Sequence, residues 1–485
     1  MIICFLTFLL SIALEVFASS FPNINYIPKE ISKNILIKNV WNKDSQLPDI
    51  FEEEFTFLEP NLNKAQIEPS DQSRDLVDAE ITRLLTSVIE IHEKGLSAFE
   101  LEPLYWTGYF WALRVGLLGG RLADGKFLRT SNWEERLEYV KSNPPSTYFP
   151  KKIHLLSPSE KYDLLIGDSE GNLTSLMWRR GQETMDRYGQ ISPWIGLCDG
   201  LAMATINLPI PKKSISVWSF DGKYKIKFFP EDLKALGTLL WKQGSFSYRM
   251  IGERCDETLP EVNENGRYTS AGCFNTNPGT FHISLVNQIG RAKRSFVMDS
   301  VSGSEVWNYP VVGYSFTYFN PQTLISSPGP QEAIIPIGDF TNDKYTKYRS
   351  PLSTHIVGVE VKVNTLKDQY PRFSELEGPS DNKFSIETYK YDLELNKEGK
   401  IIGGEWADNN HPDFLWIGNK DSIPKGPFDD LLEGNWDAKS QLFPTAWIEP
   451  SIKSSKAGIV PHQIVKALFE LSNQEGDGFN PNQKP

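Results

Sequence analysis

The strongest constraint on the fold is a change of hydrophobic period near residue 210. Before it, apolar residues recur at helical spacing. SRDLVDAEITRLLTSVIEIHEK (73–94) stops at Gly95, and YWTGYFWALRVGLLGGRLAD (105–124) has the pattern of a more buried helix. Ser131 with Glu134, and Ser157 with Pro158 and Glu160, have the spacing of capping boxes that satisfy orphan amides at a helix start. After it the chain alternates with period two. SISVWSFDGKYKIKFF (214–229) predicts a two-residue hairpin joined by Asp221-Gly222. SFVMDSV (295–301), EVWNYPVVGYSFTYF (305–319), THIVGVEVKVN (354–364) and YKYDLELNKEGKIIGGEWA (389–407) predict strands, with turns at Ser302-Gly303 and Glu398-Gly399. PEDLKALGTLLWKQ (230–243) and PHQIVKALFELSN (461–473) stand apart as helices. Helices grouped before strands predict an α+β chain, with a helical N-terminal half and a β-rich C-terminal half.

The ends differ from this body. Ile2 to Leu14 form an apolar run of signal-peptide length followed by Ala18, Ser19 and Ser20, so residues 1–20 are expected to be a cleaved signal peptide. No later run reaches the roughly 20 apolar residues of a membrane span, so no stable membrane insertion is expected after cleavage. Residues 21–70 mix Pro, Asn and acidic side chains without period and are expected to be a pro-segment or polar arm. The catalytic-sized region is 71–450, helical over 71–207 and β-rich over 208–450, and 451–485 holds a helix and a polar tail. A net charge of −12 argues against a nucleic-acid partner, which selects a basic face.

With Cys4 in the leader, three cysteines remain: Cys198, Cys255 and Cys273. In an oxidising compartment three thiols give one pair and one free group most simply. Cys255 and Cys273 flank a polar stretch rich in Gly and Asn, a loop that a disulfide would stabilise by ~3 kcal/mol. Cys198 is then single. It lies in SPWIGLCDGLAMATI (192–206) between Gly196 and Gly200, which leave space for a substrate backbone, and at the expected start of a helix, which favours thiolate over thiol.

A nucleophilic thiol needs a base, and the base needs an orienting group. Of six histidines, His282 in NPGTFHISLVNQIG lies among apolar residues after an Asn-Pro-Gly turn, so its ring must find a partner or face a cleft; His411 is the second choice. Asp299, an acid inside an apolar strand, is the candidate orienter. The order Cys198, His282, Asp299 is that of papain-like acyl-transfer enzymes, in which a helix carries the nucleophile and a sheet carries the other two. Trp194 and Gln190 are candidate oxyanion or pocket donors beside the Cys198 amide. The DSEGN loop (168–172) makes calcium the one candidate ion, although the EF-hand spacing is absent and no metal ligand set is assigned.

VWNYPVVGY (306–314) resembles the surface peptide of the transglutaminase elicitors of oomycete plant pathogens, which have bacterial relatives. WIGLCDGLA resembles that family's cysteine segment, GCFNTNPGTFHISLVNQIG its histidine segment, and FVMDSVSGSEVWN its aspartate segment, and the likeness spans roughly residues 100 to 420. The resemblance implies Cys198 as nucleophile, His282 as base and Asp299 as orienter, supports the Cys255–Cys273 pair, and marks Val306, Trp307, Asn308 and Pro310 as an elicitor-like segment. Val312 stands where those proteins have a basic residue, Tyr309 where they have an amide, and Leu201 where an aromatic is expected. The activity it implies is that of a secreted, periplasmic or cell-surface protein-glutamine γ-glutamyltransferase, acting on proteins with exposed Gln and Lys. Gln–Lys isopeptide cross-links, or deamidation by water, would follow from a Cys198 thioester. The alternatives are a papain-like cysteine protease, which uses the same three groups, and a catalytically silent surface recognition protein.

Overall fold

The computed structural model describes residues 71–474 except 103, 104, 256, 258, 271 and 272; the expected signal peptide, the 21–70 segment and the last eleven residues lie outside the described residues. The first helices are α1 (Ser73–Leu76) and α2 (Val88–Glu93), then α3 (Trp133–Ser142), α4 (Pro158–Ile166), α5 (Asn172–Tyr188), α6 (Cys198–Asn207), α7 (Pro230–Gln243) and α8 (Pro278–Ser284). Two more, α9 (Thr445–Lys456) and α10 (His462–Asn473), close the chain. The strands are β1 (Ala98–Glu100), β2 (Ile215–Trp218), β3 (Lys225–Phe228), β4 (Tyr248–Gly252), β5 (Val297–Asp299), β6 (Asn308–Phe319), β7 (Ser326–Ser327), β8 (Ile335–Pro336), β9 (His355–Leu366), β10 (Phe384–Leu395), β11 (Ile401–Gly403) and β12 (Phe414–Gly418).

The α+β expectation holds. Antiparallel strands form one sheet in the order β11-β10-β9-β6-β5-β12-β4, with β1 and β7 added on β6 and β8 on β9, while β2 and β3 form a separate hairpin. Two apolar cores flank this sheet. One joins α3 to α7, α9 and α10 to residues such as Val297, Phe414 and Trp416; the other packs α8 and its π-helical continuation, Leu285–Arg291, against Met298, Phe316, Val361, Tyr391 and Leu415. Because strand side chains alternate between faces, Val297 and Trp416 look one way and Met298 and Leu415 the other.

Two expected helices are broken. Of 73–94 only α1 and α2 are helical; Leu85 between them is buried, its N–H and C=O held by the Asn287 side chain. The 105–124 segment is extended and then turns twice in short 3-10 helices, with Trp111 and Leu117 at positive φ. Its glycines explain this: a Cβ on Gly116 or Gly119 would lie 2.6 Å from the Trp178 ring, so the segment wraps that indole rather than coiling. Ser157 and Glu160 do form a capping box on α4, whereas α3 starts one residue later than expected, capped by Asn132 through the Glu135 amide. No helix among the described residues is long and apolar enough to cross a membrane.

Candidate functional site

Cys198 is the first residue of α6 and the free cysteine among the described residues, while Cys255 and Cys273 are joined in a disulfide. The two glycines around it serve the protein's own packing. A Cβ on Gly196 would meet the Phe110 carbonyl at 2.7 Å, and one on Gly200 the Thr238 carbonyl at 2.4 Å, so both let neighbouring backbone approach, where the sequence suggested room for a substrate. The Leu197 N–H bonds Phe110 O at 2.6 Å, fixing the turn that leads into the helix.

The sulfur lies against the start of β6. Pairing of β6 with β9 begins only at Val311, opposite Thr365, so the stretch from Val306 to Pro310 meets α6 instead. Cys198 Sγ donates to Val306 O at 3.7 Å and accepts from Asn308 Nδ2 at 3.6 Å. Asn308 Oδ1 in turn accepts from Trp416 Nε1 at 2.8 Å. The thiol is 3% exposed, at the wall of a slot of about 10 Å³ lined by Trp106, Leu201, Thr205, Tyr309 and Asp368, room for about one water. Burial pushes it up to about 12, with Asp199 adding to the rise and the Asn308 N–H groups and Lys242 opposing it.

Leu366, Lys367 and Asp368 form one wall of the slot. Tyr309 donates to Asp368 Oδ1 at 3.2 Å, the Lys367 ammonium sits 4.1 Å from the Tyr309 ring centroid, and Gln369 bonds the carbonyls of Gly108 and Thr107. Trp307 packs edge-on against Phe110 and parallel to Tyr309. A slot of this size admits no side chain to the sulfur in this arrangement.

Asp299 pairs in register with Asn308, and Val297 with both Pro310 and Trp416, which places Asp299, Asn308 and Trp416 on one face of the sheet. Asp299 Oδ1 accepts from the Trp307 N–H at 2.9 Å, so the carboxylate braces the hairpin that presents Asn308. Beside it is Asp413, whose N–H bonds Asp299 O at 3.3 Å and whose Oδ2 accepts from the Cys255 amide at 3.0 Å. Burial pushes Asp299 up to about 7 and Asp413 well up too, and the Asp299 carboxylate adds to the rise at Asp413.

His282 lies on the opposite face. It sits on α8, its Nδ1 2.8 Å from the Tyr391 hydroxyl and its ring against Phe316, and Nε2 has no hydrogen-bond partner among the described residues. Burial pushes it down to about 3. Thus Asp299 and Cys198 share the β6 hairpin region, whereas neither is hydrogen-bonded to His282, and the sheet runs between. His411 is buried and stacked on Trp406 with Nδ1 3.3 Å from Pro412 O, and burial pushes it down to about 4. Gln190 is exposed after α5 and Trp194 is half-buried at the edge of the helical core; neither lines the Cys198 slot. In the DSEGN loop the Asp168 carboxylate accepts from the amides of Glu170 and Asn172, the work of a helix-start turn. No group of three or more potential metal ligands is assembled among the described residues.

Two contributors escaped the sequence reading: Trp416 altogether, and Asn308 as more than part of the elicitor-like segment. The available signal was an Asn inside an apolar strand, which must find partners for both ends of its amide.

The paired acids give a pH expectation. Between the ordinary value of 3.8 and about 7, native Asp299 keeps a proton that the unfolded chain releases, so stability falls as pH rises across that window. Native Asp413 keeps its proton in the same way, so Asp413→Asn removes that acid's own share of the linkage, and the fall, followed by denaturant unfolding across these pH values, is expected to be smaller than in the wild type.

The family described as transglutaminase elicitor matches residues 175–425, just over half of the chain. The crystal structure of the GP42 transglutaminase from Phytophthora sojae is similar at 19% identity and a TM-score of 0.49, covering 80% of this chain and 99% of that one. No curated protein matches significantly.

Proposed function

The chain belongs to the transglutaminase elicitor family, and on that premise we propose that it is a secreted protein-glutamine γ-glutamyltransferase whose nucleophile is Cys198. The observation that carries this reading is a single unpaired thiol at a helix start with an oriented amide donor on its sulfur. In the reaction the sulfur attacks the γ-carboxamide carbon of a peptidyl glutamine, and the carbon–nitrogen bond breaks. The nitrogen leaves as ammonia with the thiol's proton, and a thioester remains. A lysine amine then attacks the thioester, forming the isopeptide and restoring the thiol; water in its place gives glutamate.

On the resemblance of its histidine and aspartate segments, proton transfer is assigned to His282 and orientation to Asp299, which needs a rearranged state because the sheet separates the two in the described one. In this reading the described state is a resting one: thiol and imidazole are both neutral, and His282 must leave Tyr391 to serve the sulfur. The narrow slot and the separation of His282 from Cys198 also favour a second reading, a catalytically silent recognition protein that keeps the family's scaffold. Incubation with casein and a labelled amine separates them. Ammonia release with amine incorporation supports the transferase; new peptide termini would indicate a protease; neither signal would leave the silent reading.

A further inference from the structure

Asn308 is 2% exposed and its carboxamide spans the gap between Trp416 and Cys198. An indole nitrogen can only donate, so the amide oxygen must face Trp416 and the NH2 must face the sulfur. The alternative flip would set two donors against each other at 2.8 Å and leave the buried indole N–H unpaired. Trp416 cannot follow a rotation of the amide. Its strand runs between β5 and β4, paired with Val297 on one side and Met250 on the other, and its ring packs edge-on against Tyr248 at 5.9 Å. The backbone is held from the other side by Asp299, which takes the Trp307 N–H. The donor at the sulfur is therefore set by three strands, with no freedom left to the Asn308 side chain.

A donor fixed in this way does two things for a thiol that becomes an acyl carrier. It favours the anion at sulfur, because a charged acceptor gains more from an N–H than a neutral one. It also stands beside the carbon that the sulfur will bond, where negative charge collects on oxygen in the tetrahedral intermediate. We propose that Asn308 is a catalytic donor of the Cys198 site and that Trp416 is a positioning residue that fixes the direction of its amide. The inference rests on the reading of Cys198 as nucleophile.

The test has two readouts. The infrared S–H stretch of Cys198, isolated as the wild-type minus Cys198→Ser difference, reports the contact at sulfur whether or not the protein is an enzyme. It is expected to shift in Asn308→Ala and, in the same direction, in Trp416→Phe, which keeps an aromatic ring at the site but loses the indole N–H together with the pyrrole half of the ring. Turnover of the amine-incorporation reaction is expected to fall about 100-fold in Asn308→Ala with KM retained, the cost of one oxyanion donor, and about tenfold in Trp416→Phe. An unshifted band in both variants overturns the proposal, as does unchanged kcat in Asn308→Ala beside an active wild type. If Asn308→Ala does not fold, the band of Trp416→Phe decides alone. A wild type that releases no ammonia removes the transferase reading, while the band still decides whether the amide acts on the sulfur.

Discussion

Cys198→Ser is expected to abolish ammonia release and amine incorporation together, a loss of about 10⁴-fold or more, with the fold intact. The substituted hydroxyl is a donor and an acceptor like the thiol, and a small shift toward Asn308 Nδ2 or Val306 O, now 3.6 and 3.7 Å from the sulfur, brings it into hydrogen-bond range. The cost in stability should stay near 1 kcal/mol, within the ordinary range for a conservative core change. A hydroxyl is far harder to ionise than a thiol in the same dry slot, and attack on the carboxamide stops there. Amine incorporation assayed beside a denaturant melt checks both halves. Activity retained by the Ser variant would place the nucleophile elsewhere. The companion His282→Asn tests the base: as the proton acceptor in a rearranged state, its loss should lower turnover by a comparable order, whereas a side chain that only bonds Tyr391 would register in stability alone.

Lys161→Met is expected to lower unfolding stability by about 3–5 kcal/mol, the cost of leaving one member of a buried ion pair without the other. Lys161 Nζ lies 2.6 Å from Asp232 Oδ2, and both side chains are fully buried. The same oxygen accepts from the Phe229 N–H at 2.7 Å and so caps α7, the helix on which α6 rests. The ammonium also sits 5.2 Å from the Phe229 ring centroid. Burial pushes the Lys161 ammonium down and the Asp232 carboxyl up, so each charge depends on its partner. Without Lys161 the acid must take a proton or draw water into the core. The double variant Lys161→Met, Asp232→Asn should recover much of the loss, because the amide can still cap α7 without a charge to compensate. Urea melts of the three proteins measure this. A single Lys161→Met as stable as wild type would show that the pair contributes nothing.

Both expectations depend on how far the chain's local signals reach. The period change near residue 210, the Ser157 box and the hairpins about Asp221-Gly222 and Ser302-Gly303 were legible because each depends on residues a few positions apart, although the first hairpin closes at Trp218 and Lys225 and not on a two-residue turn. The loop joined by Cys255 and Cys273, 18 residues apart, was legible from the cysteine count and the polar stretch between them. Helix α9 was not, since Pro450 inside it argues against helix, yet its buried Trp447 and its packing on α4 and α5 outweigh that penalty. The 105–124 segment failed in the opposite direction: its apolar pattern fits a helix, and only the Trp178 ring, more than fifty residues away, dictates otherwise.

By itself the sequence singled out the candidates for chemistry: a thiol at a helix start, an acid in an apolar strand and a histidine among apolar residues. Which of them share a space was decided by the sheet alone. Alternation along β5, β6 and β12 puts Asp299, Asn308 and Trp416 on one face, and α8 carries His282 to the other, against Phe316 and Tyr391. The physical reason is that a face is a property of register between strands distant in sequence, and a shift of one residue in any pairing would exchange the two sides.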